Sequence, residues 1–464
     1  MKIILINPPT TSEFEKHWAG FPILGLAYIA SSIRKFGHEV ILLDGKLDNL
    51  NSEQILETII DCKPDLIGIT CMTVEFPTIV KLSTMIKKSI NIPIIVGGAH
   101  INSIEEKAME ECEYIDFLSI GEGEYLIGEL LNQLGGERDY SDIKGLVYRV
   151  NNKEFIKNLP RPYPKDYDLL PFPAWDLFNT GEQIPILTHR GCPFHCTFCS
   201  HNSGFKTRFR TPENVIAEIK NTIDNYNPKV IRFEDETFGL DIKRTTTIIN
   251  GILDQGLHKK VSFSAQTRVD RISEEFIILM KKANFETLEM GVESGNEEIL
   301  LKIKKQITLE QVRTAVALAK KHKLKVWTKF ILGHPEETKE TIRDTINFIT
   351  ELNPEQLSVA IMTPYPGTPI YELAAKGEGG YKLLVDDWSN YDKYSSGVLE
   401  LKDVSITQLK IYQLLAYANL YLKNYRFMDA FHLVKNHFSM AVFMVMSIPS
   451  SFFSSIFHSK EPKR

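Results

Sequence analysis

Short runs of consecutive apolar residues alternate, along the first 140 residues, with longer stretches in which apolar positions recur every three or four. Lys2 to Ile6, Glu39 to Leu43, Asp65 to Thr70, Pro93 to Val96 and Tyr114 to Ile120 are the short runs, rich in Ile, Leu and Val. Runs this apolar predict strands of a parallel sheet covered on both faces. With helices between and after them, residues 1–140 predict an α/β, doubly wound, Rossmann-like domain whose ligand sits at the carboxyl ends of the strands.

Those ends carry Asn7-Pro8-Pro9, Asp44-Gly45, Thr70-Cys71-Met72-Thr73, Gly97-Gly98-Ala99-His100 and Gly121-Glu122-Gly123-Glu124. Glycine lets backbone approach a ligand closely and threonine hydroxyls can bond to it. The alternative is that these are the tight turns any such sheet needs. Gly121-x-Gly123 is not a nicotinamide fingerprint, because Leu126 stands at the third-glycine position and the motif follows the fifth strand.

Residues 141–182 read as a linker: a hairpin (Gly145 to Val150, then Glu154 to Ile156) and a stiffening stretch from Pro160 to Pro173. A second alternating series occupies 183–385. Its strands are Pro185 to Arg190, Lys229 to Glu234, Val261 to Thr267, Phe285 to Val292, Lys325 to Leu332 and Gln356 to Thr363. Six βα units predict a partial (β/α)6 barrel of the TIM type, active at the carboxyl ends of its strands. Residues 386–464 predict a helical region, with patterns at Ile406 to Lys423 and Met428 to Met446.

At 464 residues the chain exceeds one core. Fifty-four Lys and Arg against fifty-nine Asp and Glu leave a net charge of −5, which argues against a nucleic-acid partner. The start, MKIILINPPT, lacks a signal-peptide core, and with few cysteines a cytoplasmic, reducing location is expected. The apolar run Met440 to Phe457 is broken by Pro449 and five serines, which makes a weak transmembrane span. It raises peripheral membrane contact or a lipid-like substrate as readings, beside a plain core helix or dimer surface.

Three of the six cysteines, Cys192, Cys196 and Cys199, fall within eight residues just after the first barrel strand. Three thiolates on a four-iron, four-sulfur (4Fe-4S) cluster leave one iron open to a substrate. Zinc is the rival, with His195 or His201 as a fourth ligand, but zinc sites favour paired C-x2-C knuckles and only one such pair is present.

The C-x3-C-x2-C triplet resembles the hallmark of the radical S-adenosylmethionine (SAM) enzymes. Further stretches are similar to that family: Glu234-Asp235-Glu236, Gln266-Thr267-Arg268, Gly291-Val292-Glu293-Ser294-Gly295, Gly333-His334-Pro335 and Pro364-Tyr365-Pro366-Gly367. Pro22-Ile23-Leu24-Gly25, the Gly97-Gly98 turn and Gly121-Glu122-Gly123 look like the cobalamin-binding domain that precedes the barrel in a methyltransferase-rich subclass.

The resemblance implies that Cys192, Cys196 and Cys199 hold a 4Fe-4S cluster whose fourth iron takes SAM. It implies that an electron from an external reductant such as flavodoxin or ferredoxin cleaves SAM to a 5′-deoxyadenosyl radical. It nominates Glu236, with Asp235 as substitute, for the SAM ammonium, Glu293 for the ribose, and Gln266 and Arg268 for the methionine carboxylate or ribose. Thr70, Thr73, Gly97, Gly98, Gly121, Glu122 and Gly123 would line the cobalamin. Asp44 to Asn49 lacks the histidine of D-x-H-x-x-G, so cobalt would carry no protein histidine. Methylation of an unactivated carbon or phosphorus in a small-molecule or lipid-like substrate is the leading expectation. The alternatives are a radical cyclase or carbon-carbon bond-forming enzyme, and a non-catalytic cobalamin or redox sensor.

Overall fold

The computed structural model describes residues 1–10, 20–394 and 397–436. The Met440 to Phe457 run and the end of the last helical pattern lie outside the described residues.

The first sheet contains β1 (Lys2–Asn7), β2 (Glu39–Asp44), β3 (Leu66–Thr70), β4 (Ile94–Gly97), β5 (Phe117–Ser119), β6 (Leu146–Asn151) and β7 (Glu154–Lys157), ordered β2-β1-β3-β4-β5-β6-β7. The first five run parallel. Strand alternation divides their apolar residues between two faces. Ile3 and Leu5 pack under helices Leu24–Lys35 and Gly123–Leu134, and Ile4 and Ile6 under Ser52–Cys62 and Phe76–Ser89.

The hairpin expected in the linker instead extends this sheet, because β6 pairs antiparallel with β5. The proline-rich stretch is not a spacer. Tyr167 and Trp175 are buried, Trp175 packs in the core under helix Leu24–Lys35, and the Ala174 N–H donates to the Ala27 carbonyl at 3.1 Å. Its apolar residues turn it into a strap.

The second sheet is formed by β8 (Gln183–Ile186), then, beyond the short strands β9 (His189–Arg190) and β10 (Arg208–Phe209), by β11 (Val230–Phe233), β12 (Ser262–Thr267), β13 (Phe285–Glu293), β14 (Lys325–Leu332) and β15 (Gln356–Ile361). Its order is β8-β11-β12-β13-β14-β15, every neighbour parallel: six strands of an open barrel. Phe233, Phe263 and Phe285 stack at 5.3–5.8 Å on the helix-covered side. Truncating one such ring costs about 3–5 kcal/mol.

The opposite parity faces the lumen and is polar: Arg232 and Glu234, Ser264 and Gln266, Glu289, then Trp327 and Lys329. A hairpin of β16 (Tyr381–Leu383) and β17 (Leu399–Leu401) crosses the expected boundary at 385 before helices Ile406–Lys423 and Phe427–Asn436. The first of these helices covers the open sheet edge, where Gln413 Nε2 donates to the Val359 carbonyl at 2.7 Å. Among the described residues no helix is long and apolar enough to cross a membrane.

Candidate functional site

The cysteine loop leaves the barrel through a tied neck. β9 and β10 pair antiparallel and close residues 191–207 into a loop. Gly191 makes the turn at φ +87°, where a Cβ would stand 2.3 Å from the Lys206 carbonyl oxygen. The Cys192 N–H donates to the Gly204 carbonyl at 3.1 Å.

Beneath the neck lies Asp235, fully buried. It accepts from the Thr188 N–H at 2.6 Å, the Thr188 hydroxyl at 2.7 Å and the His189 N–H at 3.2 Å. Burial pushes its carboxyl pKa up, but the His189 charge and these bonds outweigh burial and hold it below the ordinary range.

A second segment, residues 303–306, grips the loop from the other direction. The Thr197 N–H donates to the Ile303 carbonyl at 3.1 Å, and Cys196 Sγ lies 3.8 Å from the Lys304 carbonyl. Arg268 Nη2 donates to the Lys305 carbonyl at 2.9 Å, and its guanidinium lies 3.6 Å from the centre of the Phe194 ring. Lys305 Nζ meets Glu293 Oε1 at 2.7 Å in a buried pair. Glu293 takes φ +72°, and a Cβ on Gly291 would run into that pair.

The three thiols lie close enough for one's charge to disfavour ionisation of another. Burial raises the Cys196 thiol and pushes Cys199 up to about 11. Coordination to a cation is what ionises such a group at neutral pH. Among the described residues no three His, Cys, Asp or Glu side chains converge as ligands of one metal ion. His195 and His201 pack on the Phe205 ring, each at 4.3 Å. This donor set fits a cluster better than a single zinc, since each thiolate of a cluster binds its own iron.

On the sheet side, a cavity of about 300 Å³ opens at the carboxyl ends of β1, β3, β4 and β5. Its floor is apolar (Leu5, Ile69, Ile95, Leu126) and its rim is Thr70, Gly97, Gly98, Gly121 and Gly123. Gly98 sits at φ +110°, with Cβ positions 2.8 Å from Cys71 backbone atoms, and a Cβ on Gly123 would meet Ile29 at 3.0 Å. Leu187, Arg190, Asn202 and Ser203 line the same cavity from the barrel side. Arg190 Nη2 donates to Glu124 Oε1 at 2.6 Å, and Arg208 and the Tyr167 hydroxyl both donate to Glu122, at 2.8 and 2.5 Å at the closest.

The radical SAM superfamily model matches residues 186–349 and the B12 binding domain model matches residues 21–131. An uncharacterized methyltransferase of Pyrococcus horikoshii is 35% identical over 437 residues, covering 91% of this chain and 93% of that protein. The chain belongs to the radical SAM enzymes that carry a cobalamin-binding domain.

The anaerobic magnesium-protoporphyrin IX monomethyl ester cyclase of Rubrivivax gelatinosus is 26% identical, over 84% of this chain and 72% of its own. Among solved structures, the radical SAM methyltransferase TsrM of Kitasatospora setae, with cobalamin and a [4Fe-4S] cluster bound, aligns with a TM-score of 0.72 at 16% identity. That alignment spans 90% of this chain and 88% of TsrM, and it is a likeness of fold.

Within this radical SAM enzyme the nominated residues separate into three groups. Thr70, Gly97, Gly98, Gly121, Glu122 and Gly123 gather on the cavity. Thr73 starts a buried turn and is not among the residues that line this cavity. Asp235 accepts three hydrogen bonds from Thr188 and His189 and ties the neck. Glu236 remains, with Oε2 buried and without a hydrogen-bond partner among the described residues.

Arg268, nominated for SAM, braces the cysteine loop and is held by Asp270 at 3.0 Å. Gln266 Oε1 accepts from Lys329 Nζ at 2.6 Å, and Glu293 is occupied by Lys305. His100, beside the glycine rim in sequence, turns away from it, its ring 5.0 Å from those of Phe76 and Trp388.

Sequence reasoning missed Lys305, Arg190 and Lys329. Lys329 Nζ meets Glu289 Oε2 at 2.6 Å, Glu289 also pairs with Arg232, and Arg232 with Glu234, so a line of charges crosses the lumen. Burial raises the Glu289 pKa, but the two cations outweigh burial and hold it below the ordinary range. A lysine at lumen parity within an apolar strand was the available signal.

Proposed function

We propose that the protein is a cobalamin-dependent radical SAM methyltransferase acting on an unactivated carbon or phosphorus of a small molecule. One observation carries this reading: Arg190 at the neck, Asn202 and Ser203 of the cysteine loop and the glycine rim line one cavity. When bound, the cluster with SAM supplies one-electron cleavage of the sulfonium and cobalamin supplies a transferable methyl group.

The chain's own residues bind, orient and exclude. Cys192, Cys196 and Cys199 hold the cluster, and residues 303–306 keep their loop in place. Glu236 offers its buried, unpartnered oxygen to the SAM ammonium, a charge-assisted bond. Glu293 accepts from the ribose once Lys305 shares it.

Phe194 and Phe198 shield the cluster from water. The apolar floor and glycine rim would hold the cobalamin, and no histidine is among the residues that line that cavity. Arg232, Glu289, Gln266 and Lys329 give the lumen paired charges, so the part of the substrate that enters it carries polar groups.

The cyclase relative favours a second reading, ring closure with the same machinery. Anaerobic turnover with methyl-labelled SAM separates them. Methylation gives a product heavier by one labelled methyl, with 5′-deoxyadenosine and S-adenosylhomocysteine formed together. A product without the label, formed with 5′-deoxyadenosine alone, rejects methyl transfer.

A further inference from the structure

The last two described helices turn an apolar face outward. Of the twenty-one large apolar side chains exposed among the described residues, seven fall within Leu415–Val434. In helix Phe427–Asn436, Phe427, Phe431 and Val434 follow at intervals of four and three, which sets them on one side, and they are 56%, 59% and 47% exposed. Ala430 and Leu433 pack against the barrel core on the other side. Leu415 and Leu422, seven residues apart on the preceding helix, are exposed as well. Between the helices Tyr425 is 82% exposed. A helix that served only packing would turn this stripe inward.

Charge distinguishes among the occupants of such a face. From Ser405 onward the chain carries seven Lys and Arg against two Asp and Glu, a net +5, whereas the whole chain carries −5. The preceding residues therefore hold −10, and among the described residues of this region Arg426 is paired with Asp429 while Lys423 and Lys435 are exposed beside the aromatic stripe. A second copy docked on this face by two-fold symmetry would set like charges against each other. A nucleic acid would leave the apolar stripe without a partner.

We propose that this surface docks on an anionic lipid bilayer. Phe427, Phe431 and Val434 enter the headgroup and acyl boundary, and Lys423 and Lys435 meet lipid phosphates.

Flotation of the full-length, anaerobically reconstituted protein tests this with vesicles of phosphatidylcholine alone or with about 30% phosphatidylglycerol, enough for a negative surface potential. Most of the protein is expected to float with the anionic vesicles and about tenfold less with neutral ones or in high salt. Phe427→Asp with Phe431→Asp should reduce flotation to the level without vesicles while iron content stays unchanged. Lys423→Gln with Lys435→Gln, which leaves packing intact, should remove the preference for anionic lipid. Flotation no greater than without vesicles overturns the proposal, as does binding indifferent to both double variants. A dimer dispersed by the aspartates, with no vesicle binding, overturns it in favour of a second copy.

Discussion

The cysteine loop and the glycine-rimmed cavity face the same space but are built by opposite means. The loop works through what its side chains are: three thiols, a carboxylate below the neck, and an arginine stacked on Phe194. The cavity works through what is missing, since a Cβ at Gly98 or Gly123 would strike neighbours at 2.8 or 3.0 Å. The loop should therefore fail by loss of ligand chemistry and the cavity by loss of shape.

The largest effect is expected at the loop. Cys192→Ser, Cys196→Ser or Cys199→Ser should each abolish a full complement of cluster iron and sulfide after reconstitution. Cys112→Ser, in the core of the first sheet, should leave it unchanged. Retention of a complete cluster by any of the first three would break the ligand assignment.

At the cavity, Gly25 lines the wall with nothing within 4 Å of its Cβ position, so Gly25→Val changes shape with little strain on the fold. Equilibrium binding of hydroxocobalamin should weaken by about tenfold, as when a well-packed site is overfilled, while cluster iron stays constant. Equal affinity in the variant would place cobalamin elsewhere.

The two regions meet at Arg190. Arg190→Met leaves Glu122 and Glu124 short of their buried counter-charge, and breaking such a pair costs about 3–5 kcal/mol. Thermal unfolding should start lower in the variant, and Arg190→Lys should recover part of the loss.

The smallest effect is that of pH. Burial holds His100 and His334 at about 4, below the ordinary imidazole value, so the unfolded chain binds more protons than the folded one between about 6.5 and 4. Stability should fall as pH drops through that window. Glu337, pushed by burial up to about 8, does the reverse: the folded state binds the extra proton, and stability is lost as pH rises from its ordinary range through about 8. Denaturant unfolding of Glu337→Gln should show less loss on the alkaline side than the parent protein.

The same contrast explains what was legible in the sequence. Strand alternation exposed both sheets, because Ile3 and Ile4 must go to opposite faces, and the cysteine spacing marked the loop that β9 and β10 tie off. The hairpin of β6 and β7 was recognised, but not its place, since pairing with β5 is a long-range contact with no local mark. Asp235 and Glu236 are adjacent acids of the same type in the sequence, and only burial shows that one ties the neck while the other keeps a free oxygen. Lys305 was hidden because its partner Glu293 lies twelve residues away, at the end of a bulge in β13.

Electron paramagnetic resonance of the dithionite-reduced, reconstituted protein tests most directly the claim that three thiols leave one iron open. The account expects a reduced 4Fe-4S signal whose shape changes when SAM is added, in the parent protein and in Gly25→Val alike. A signal indifferent to SAM, or a protein that takes up zinc and no iron, would contradict it.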